Sequence, residues 1–262
     1  MQLKVHHLNC SSMCPVGAKF MPSVFPKKVI CHCLLIESNG GLILVDTGFC
    51  LSTLVNPKEQ GAMRFLLGIE GAPDEAAINQ VKSLGFSPKD VRHIVATHLD
   101  VDHCGAVVDF PWAEVHVSSL ELQAVRNPRT IKERIRYPKF SDNVNWRVHD
   151  FGSGEDWFGF KSVRALSGFE DDLLLIPLFG HTRGHFGVAI KERDRWLLHA
   201  GDAYYDHKEL DDQSSWALRT FMSSAHTDSV VARKSLDNLK NLKRSNPGIR
   251  VFCAHDPTEF GS

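Results

Sequence analysis

Residues 97 to 105 read THLDVDHCG, with two histidines and two aspartates crowded behind the apolar run VRHIVA and in front of a glycine. The run reads as a buried strand, and a strand end holds side chains rigidly while the adjoining loop leaves a cleft open. The same arrangement recurs downstream. His181 stands in LFGHTRGH, Asp202 in LLHAGD and His255 in VFCAHD, each closing an apolar run. Together with His98, Asp100, Asp102 and His103 they offer four imidazoles and three carboxylates. Any one His-Asp pair is most often a surface or structural pair, and His181 alone reads as a core imidazole. Seven donors at successive strand ends match the needs of two divalent ions. Zinc-type ions take N and O ligands at about 2.0 to 2.2 Å and keep a position for water in catalytic sites. Two such ions hold a shared hydroxide and polarise a carbonyl or phosphoryl oxygen.

The rest of the chain reads as a frame for those strand ends. Short β-type runs occupy 3 to 8, 29 to 37 and 42 to 48, and later 114 to 118, 173 to 178, 187 to 191, 195 to 202 and 250 to 256. Residues 73 to 85, PDEAAINQVKSLG, have Pro in the first turn, acids after it, apolar residues at 77, 78, 81 and 84, and a closing Gly, which predicts a helix. A second amphipathic helix is expected over 229 to 243. Residues 10 to 28, with three prolines, read as a long loop, and with 63 to 73 as apolar walls of a pocket. Strands in both halves with helices between them, and no linker or low-complexity tract, predict one domain over 1 to 262 with a two-layered sheet core and outer helices.

Composition narrows the function classes. Lys and Arg total 30 against 31 Asp and Glu, so there is no positive field to hold a phosphate backbone or an anionic membrane. No stretch approaches the ~20 apolar residues that span a bilayer, and the first ten residues lack a secretion-type apolar segment. Seven cysteines, an odd count, point to reduced thiols. Cys31 and Cys33 sit on one face of a strand and read as core rather than as zinc ligands. A soluble cytoplasmic enzyme is the expectation, acting on a small molecule, with no nucleic acid and no membrane partner. Its oligomeric state is open, a homodimer being one arrangement.

LVDTG at 44 to 48, THLDVDH at 97 to 103, GHTRGH at 180 to 185, the Asp of HAGD at 202 and the His of CAHD at 255 resemble, in order, the motifs of the metallo-β-lactamase superfamily. The resemblance implies an αββα sandwich, two mixed β-sheets flanked by helices. It also implies that His98, Asp100 and His181 hold a first metal, that Asp102, His103 and His255 hold a second, and that Asp202 bridges them. Asp46 would steady the site without ligating, and His185 would be structural. The family more often carries His where Asp100 stands. An oxygen donor there admits Mn²⁺ or Fe²⁺ beside the zinc otherwise expected.

Within the superfamily the sequence looks most like the N-acyl homoserine lactonases, through CHCLLIE, LVDTG, the apolar N-terminal segment and a Tyr three residues after Asp202. That resemblance implies opening of a lactone or related ester with an apolar acyl part, by attack of a metal-bridging hydroxide. Tyr205 would help stabilise the oxyanion, and Asp102 would shuttle a proton. A thioesterase of the glyoxalase II kind and a phosphoesterase use the same site chemistry. An iron-dependent redox protein and a non-catalytic ligand sensor are readings from other classes.

Overall fold

The computed structural model describes residues 3–14, 28–56 and 68–260. Among the described residues, twelve strands form two six-stranded sheets. The first runs β1 (Lys4–Met13), β2 (Val29–Ser38), β3 (Gly41–Val45), β4 (Val91–Val95), β5 (Glu114–Ser118), β6 (Asn145–His149) in that spatial order. β1, β2 and β3 pair antiparallel, and β3 to β6 pair parallel. The second sheet has the order β12 (Arg250–Phe252), β11 (Arg195–His199), β10 (Phe186–Glu192), β9 (Leu173–Pro177), β8 (Phe160–Ala165), β7 (Glu155–Trp157). Only the β11–β12 pair in it is parallel.

Burial explains the stacking. β2 alternates Leu34 and Ile36 toward one layer with Cys33 and Leu35 toward another, and all four are buried. A strand covered on both faces has no polar side to show, hence the unbroken run CHCLLI. Leu34, Ile36, Ile43, Val45 and Val95 meet Leu173, Leu175, Val188 and Ile190 between the sheets. The outer face of the first sheet packs on α2 (Ala77–Ser83) and α4 (Ser119–Arg126) through Ala77, Val81 and Leu122. The short helix α1 (Leu51–Val55) precedes α2 in sequence, and α3 (Val101–Cys104) lies between α2 and α4. The outer face of the second sheet is covered by α7 (Ser229–Ser245), whose Leu236, Leu239 and Leu242 recur at helical spacing. Asp228 caps α7 by accepting from Val230 N and Val231 N. Two further helices are α5 (Ile131–Arg136) and α6 (Trp216–Ala225). The αββα sandwich is therefore observed.

Several boundaries differ from expectation. Residues 10 to 13, read as the start of a loop, continue β1 and pair with β2 through Ser12 with Ile30 and Met13 with Val29. Ser11, at φ 124°, sits in the register shift that lets the strand bend there. The prolines that suggested a loop begin only at Pro15, and the rest of that segment, like 57 to 67, lies outside the described residues. The helix expected over 73 to 85 divides into a 3₁₀ turn, Pro73–Glu75, and α2, because Ala76 leaves helical geometry at ψ 134°. β7, β8 and α6 were not anticipated. No helix among the described residues is long and apolar enough to cross a membrane.

Candidate metal centre

Parallel pairing brings the donors together. β3 and β4 run side by side in one sheet, β11 and β12 in the other, and their carboxyl ends open on one edge of the sandwich. Asp46 follows β3, His98 and Asp100 follow β4, Asp202 follows β11 and His255 follows β12. Asp102 and His103 stand on the single turn of α3, and His181 lies on the loop between β9 and β10. All seven predicted donors converge.

Asp202 is the hub. Its Oδ1 lies 3.1 Å from His103 Nε2, and its Oδ2 lies 3.5 Å from His181 Nε2 and 4.0 Å from His98 Nε2. His255 Nε2 is 3.2 Å from both oxygens. Asp102 Oδ2 lies 3.6 Å from His255 Nε2 and 3.9 Å from His103 Nε2. His98, His181 and Asp202 thus form one potential metal-binding group, and Asp102, His103 and His255 another. Asp100 Oδ2 stands beside the first, 3.2 Å from His181 Nε2 and 3.5 Å from His98 Nε2.

The tautomers fit cation binding. His255 Nδ1 lies 2.8 Å from the Ile30 carbonyl oxygen, which only accepts, so Nδ1 carries a proton and Nε2 is the atom turned to the cluster. His103 Nδ1 donates in the same way to the Asp46 carboxylate at 2.8 Å. The Thr97 hydroxyl donates to Asp46 Oδ2 at 2.8 Å and therefore accepts from His98 Nδ1 at 3.0 Å. A ligating imidazole commonly donates its other N–H to an oxygen in this way. His98 Nε2 and Asp202 Oδ1, both buried, have no hydrogen-bond partner among the described residues. Orphaned groups of this kind are costly, and a bound cation would satisfy them. His185 differs. Its Nδ1 donates to Leu178 O at 2.7 Å and its Nε2 accepts from Asp202 N at 2.9 Å, so both nitrogens are spent on holding the hub.

The electrostatics follow from burial and from the carboxylates. Burial pulls His98 and His181 well below the usual imidazole range, so both are neutral. His103 and His255 are also opposed by burial, but the nearby carboxylates, Asp202 foremost, win and raise them. Burial pushes Asp102 above the ordinary carboxyl value. Asp46 adopts φ 55°, a conformation rare outside glycine, asparagine and aspartate, and is held there by Thr97 N at 2.8 Å as well as by His103. Strain fixed by surrounding bonds at a site of this kind is consistent with a positioning role.

Three neighbours escaped the sequence reading. Arg136, from α5, places Nε 2.9 Å from Asp100 Oδ1 and reaches His181 O and Thr227 Oγ1 with Nη1, both at 3.1 Å. Burial works against the Asp100 carboxylate, but Arg136 and the imidazoles outweigh it and hold its pKa down. Glu121, fully buried on α4, accepts from Leu99 N at 3.1 Å and Gly184 N at 3.0 Å, tying two donor-bearing loops together. His226 brings Nδ1 to 3.4 Å from His181 Nδ1. Tyr205 OH lies 3.0 Å from His181 Nδ1, and its ring stacks on His255 at 5.4 Å. Arg183, in the same loop as His181, is paired with Glu133 at 2.8 Å.

Such a centre at the open edge of a two-sheet sandwich defines a metal-dependent hydrolase. The Metallo-beta-lactamase superfamily model matches residues 26–255, and the chain belongs to that superfamily. It is 36% identical over 259 residues to a "Probable metallo-hydrolase" of Mycobacterium tuberculosis, covering 97% of this chain and 81% of that one. It is 27% identical over 233 residues to an "N-acyl homoserine lactonase AttM" of Rhizobium johnstonii, covering 87% and 82%. Among solved structures, an N-acyl homoserine lactone hydrolase carrying N-hexanoyl-L-homoserine at its catalytic metal centre superposes with a TM-score of 0.74. Identity there is 21%, over 99% of this chain and 96% of that one, which speaks to the fold.

Proposed function

We propose that this chain is a dinuclear metallohydrolase that opens lactones or related carboxylic esters. The observation that carries the reading is the set of imidazoles whose Nε2 atoms converge on Asp202. In this reading His98, Asp100 and His181 would hold one ion and Asp102, His103 and His255 the other, with Asp202 available to both. Four nitrogen donors favour zinc, while Asp100 keeps Mn²⁺ or Fe²⁺ admissible. Such ions supply Lewis acidity and lower the pKa of water.

The protein's own groups have distinct tasks. For His181 to offer Nε2 as a ligand, its proton must sit on Nδ1, where the Tyr205 oxygen at 3.0 Å accepts it. The phenol hydrogen is then free to donate to a developing oxyanion. Burial and the neighbouring Asp202 push the Tyr205 pKa well up, so the group stays a donor at neutral pH. Asp102, raised by burial, is suited to carry a proton to the leaving alkoxide. The relatives named N-acyl homoserine lactonases support a substrate with an apolar acyl chain. A cavity of about 240 Å³ bordered by Ala203, Met222, His226 and Leu236 is a candidate place for that chain. All seven cysteines are unpaired, which supports a reducing cytoplasm.

A pH-stat assay of metal-loaded protein on acyl homoserine lactones, thioesters, aryl esters and phosphodiesters tests the reading. The largest kcat/KM is expected for a lactone. No lactone turnover, with the maximum on a phosphodiester or thioester, would replace the substrate class while leaving the hydrolase intact.

A further inference from the structure

A second group of donors lies on the first sheet, away from the centre above. His93 on β4 and Glu114 on β5 are partners in the strand register, and His116 is two residues beyond Glu114 on the same face. His93 lies two residues inside the end of β4 and five before His98, so this group sits within the first sheet rather than at the edge where the seven donors meet.

Its dimensions are those of a coordination sphere. His93 Nδ1 and His116 Nε2 are 3.1 Å apart, and Glu114 Oε2 is 3.6 Å from each. Ligands sharing one tetrahedral ion at about 2.0 to 2.2 Å stand roughly 3.3 Å from one another. A purely hydrogen-bonded cluster accounts for less. One proton links the two imidazoles, but 3.6 Å is too long for a hydrogen bond, so the carboxylate would face two ring nitrogens and bond neither.

His149, at the end of β6, supplies the outer partner. Its Nε2 lies 3.0 Å from His116 Nδ1 and accepts that proton, leaving His116 Nε2 free to ligate. Burial keeps His116 neutral, with a pKa of about 3, the form that binds metal. His93 also borders a cavity of about 380 Å³ with Ser38, Phe169 and Asp172. Arg147, the register partner of His116 on β6, opposes a cation, and Glu114 offsets it.

We propose that His93, Glu114 and His116 form an additional binding site for one divalent ion of the zinc class, independent of the central cluster. The two imidazoles and one carboxylate suit Zn²⁺ or Co²⁺ better than Mg²⁺ or Ca²⁺.

Chelator-stripped protein is dialysed to equilibrium at fixed micromolar free Zn²⁺ and its metal counted by atomic emission. The native chain should carry one ion more than Glu114→Gln or His93→Gln, whatever the central cluster holds. Turnover of the preferred ester should stay within about twofold, because these residues are remote from the reaction. Equal metal content in the native chain and both variants would overturn the proposal. Should His116→Gln fail to fold, the two partly exposed positions decide. An anomalous map at the zinc edge gives a second reading: a peak among the three side chains supports the site, and a flat map there refutes it.

Discussion

Arg136 decides how Asp100 behaves. Both side chains are nearly buried, at 11% and 12% exposure, and neither charge has enough water to be stable alone. Removing one partner of such a pair typically costs about 3 to 5 kcal/mol, because the other is left buried and uncompensated. Arg136→Met should therefore destabilise the metal-free protein by roughly 3 kcal/mol, and Asp100→Asn in that background should restore much of the loss. Urea unfolding of the four species measures this, and strictly additive effects would refute the coupling. Tyr205→Phe tests the other contact on His181. Removal of an oxyanion donor lowers kcat about 10²-fold or more. The expected result is a fall of that order with KM and bound metal unchanged. A matching loss of metal would instead make Tyr205 a positioning residue for His181. The donors at 98, 100, 102, 103, 181, 202 and 255 were legible because each closes an apolar run. Arg136 was not, since it reaches Asp100 from a separate helix whose charged sequence, IKERIR, looks like a solvated face.

The loop between β9 and β10 shows how an element fixes a side chain. Gly180 has φ 121°, and a Cβ there would lie 2.1 Å from Ala232 N at the start of α7. Gly184 is closed in the same way by Glu121 N of α4, at 2.3 Å. His181 is held between these two contacts. Gly180→Ala should cost more than about 2 kcal/mol, through the strained φ and the backbone clash together, and should weaken metal binding in step. Thermal unfolding with and without added zinc reads both effects; an unshifted Tm would mean that the loop yields at no cost. Strands were readable where both faces are buried, as in β2 and β3. β7 and β8 escaped because EDW and FKSVRA alternate poorly, and half of their residues or more are not buried.

Across the whole molecule, buried neutral histidines make stability depend on pH. Burial lowers His7 to about 4, His32 to about 2 and His116 to about 3. The unfolded chain takes up these protons near pH 6.5, and the folded chain does not until far lower. Stability is therefore full above pH 6.5 and falls as pH drops toward 4. The slope is at most about 1.4 kcal/mol per pH unit for each histidine, and less for half-buried His7. His103 and His255, raised by Asp202, act in the opposite sense. His32→Phe isolates the effect, because His32 already stacks on Phe252 at 4.9 Å. Urea midpoints of metal-free protein between pH 7.5 and 5 should fall less steeply in the variant, and parallel curves would refute the assignment.

The sequence by itself determined which donors exist and that each group of them follows an apolar run, because apolar periodicity and local spacing are properties of neighbouring residues. It also carried the αββα layering, since strands apolar on both faces need cover on both. Only the tertiary structure decided which nitrogen of each imidazole faces the cluster. That choice is made by oxygens at Ile30, Asp46 and Thr97, brought close by sheet pairing. The pairing of Asp100 with Arg136 and the meeting of His93, Glu114 and His116 arise the same way, from strand register and helix packing that join residues distant along the chain.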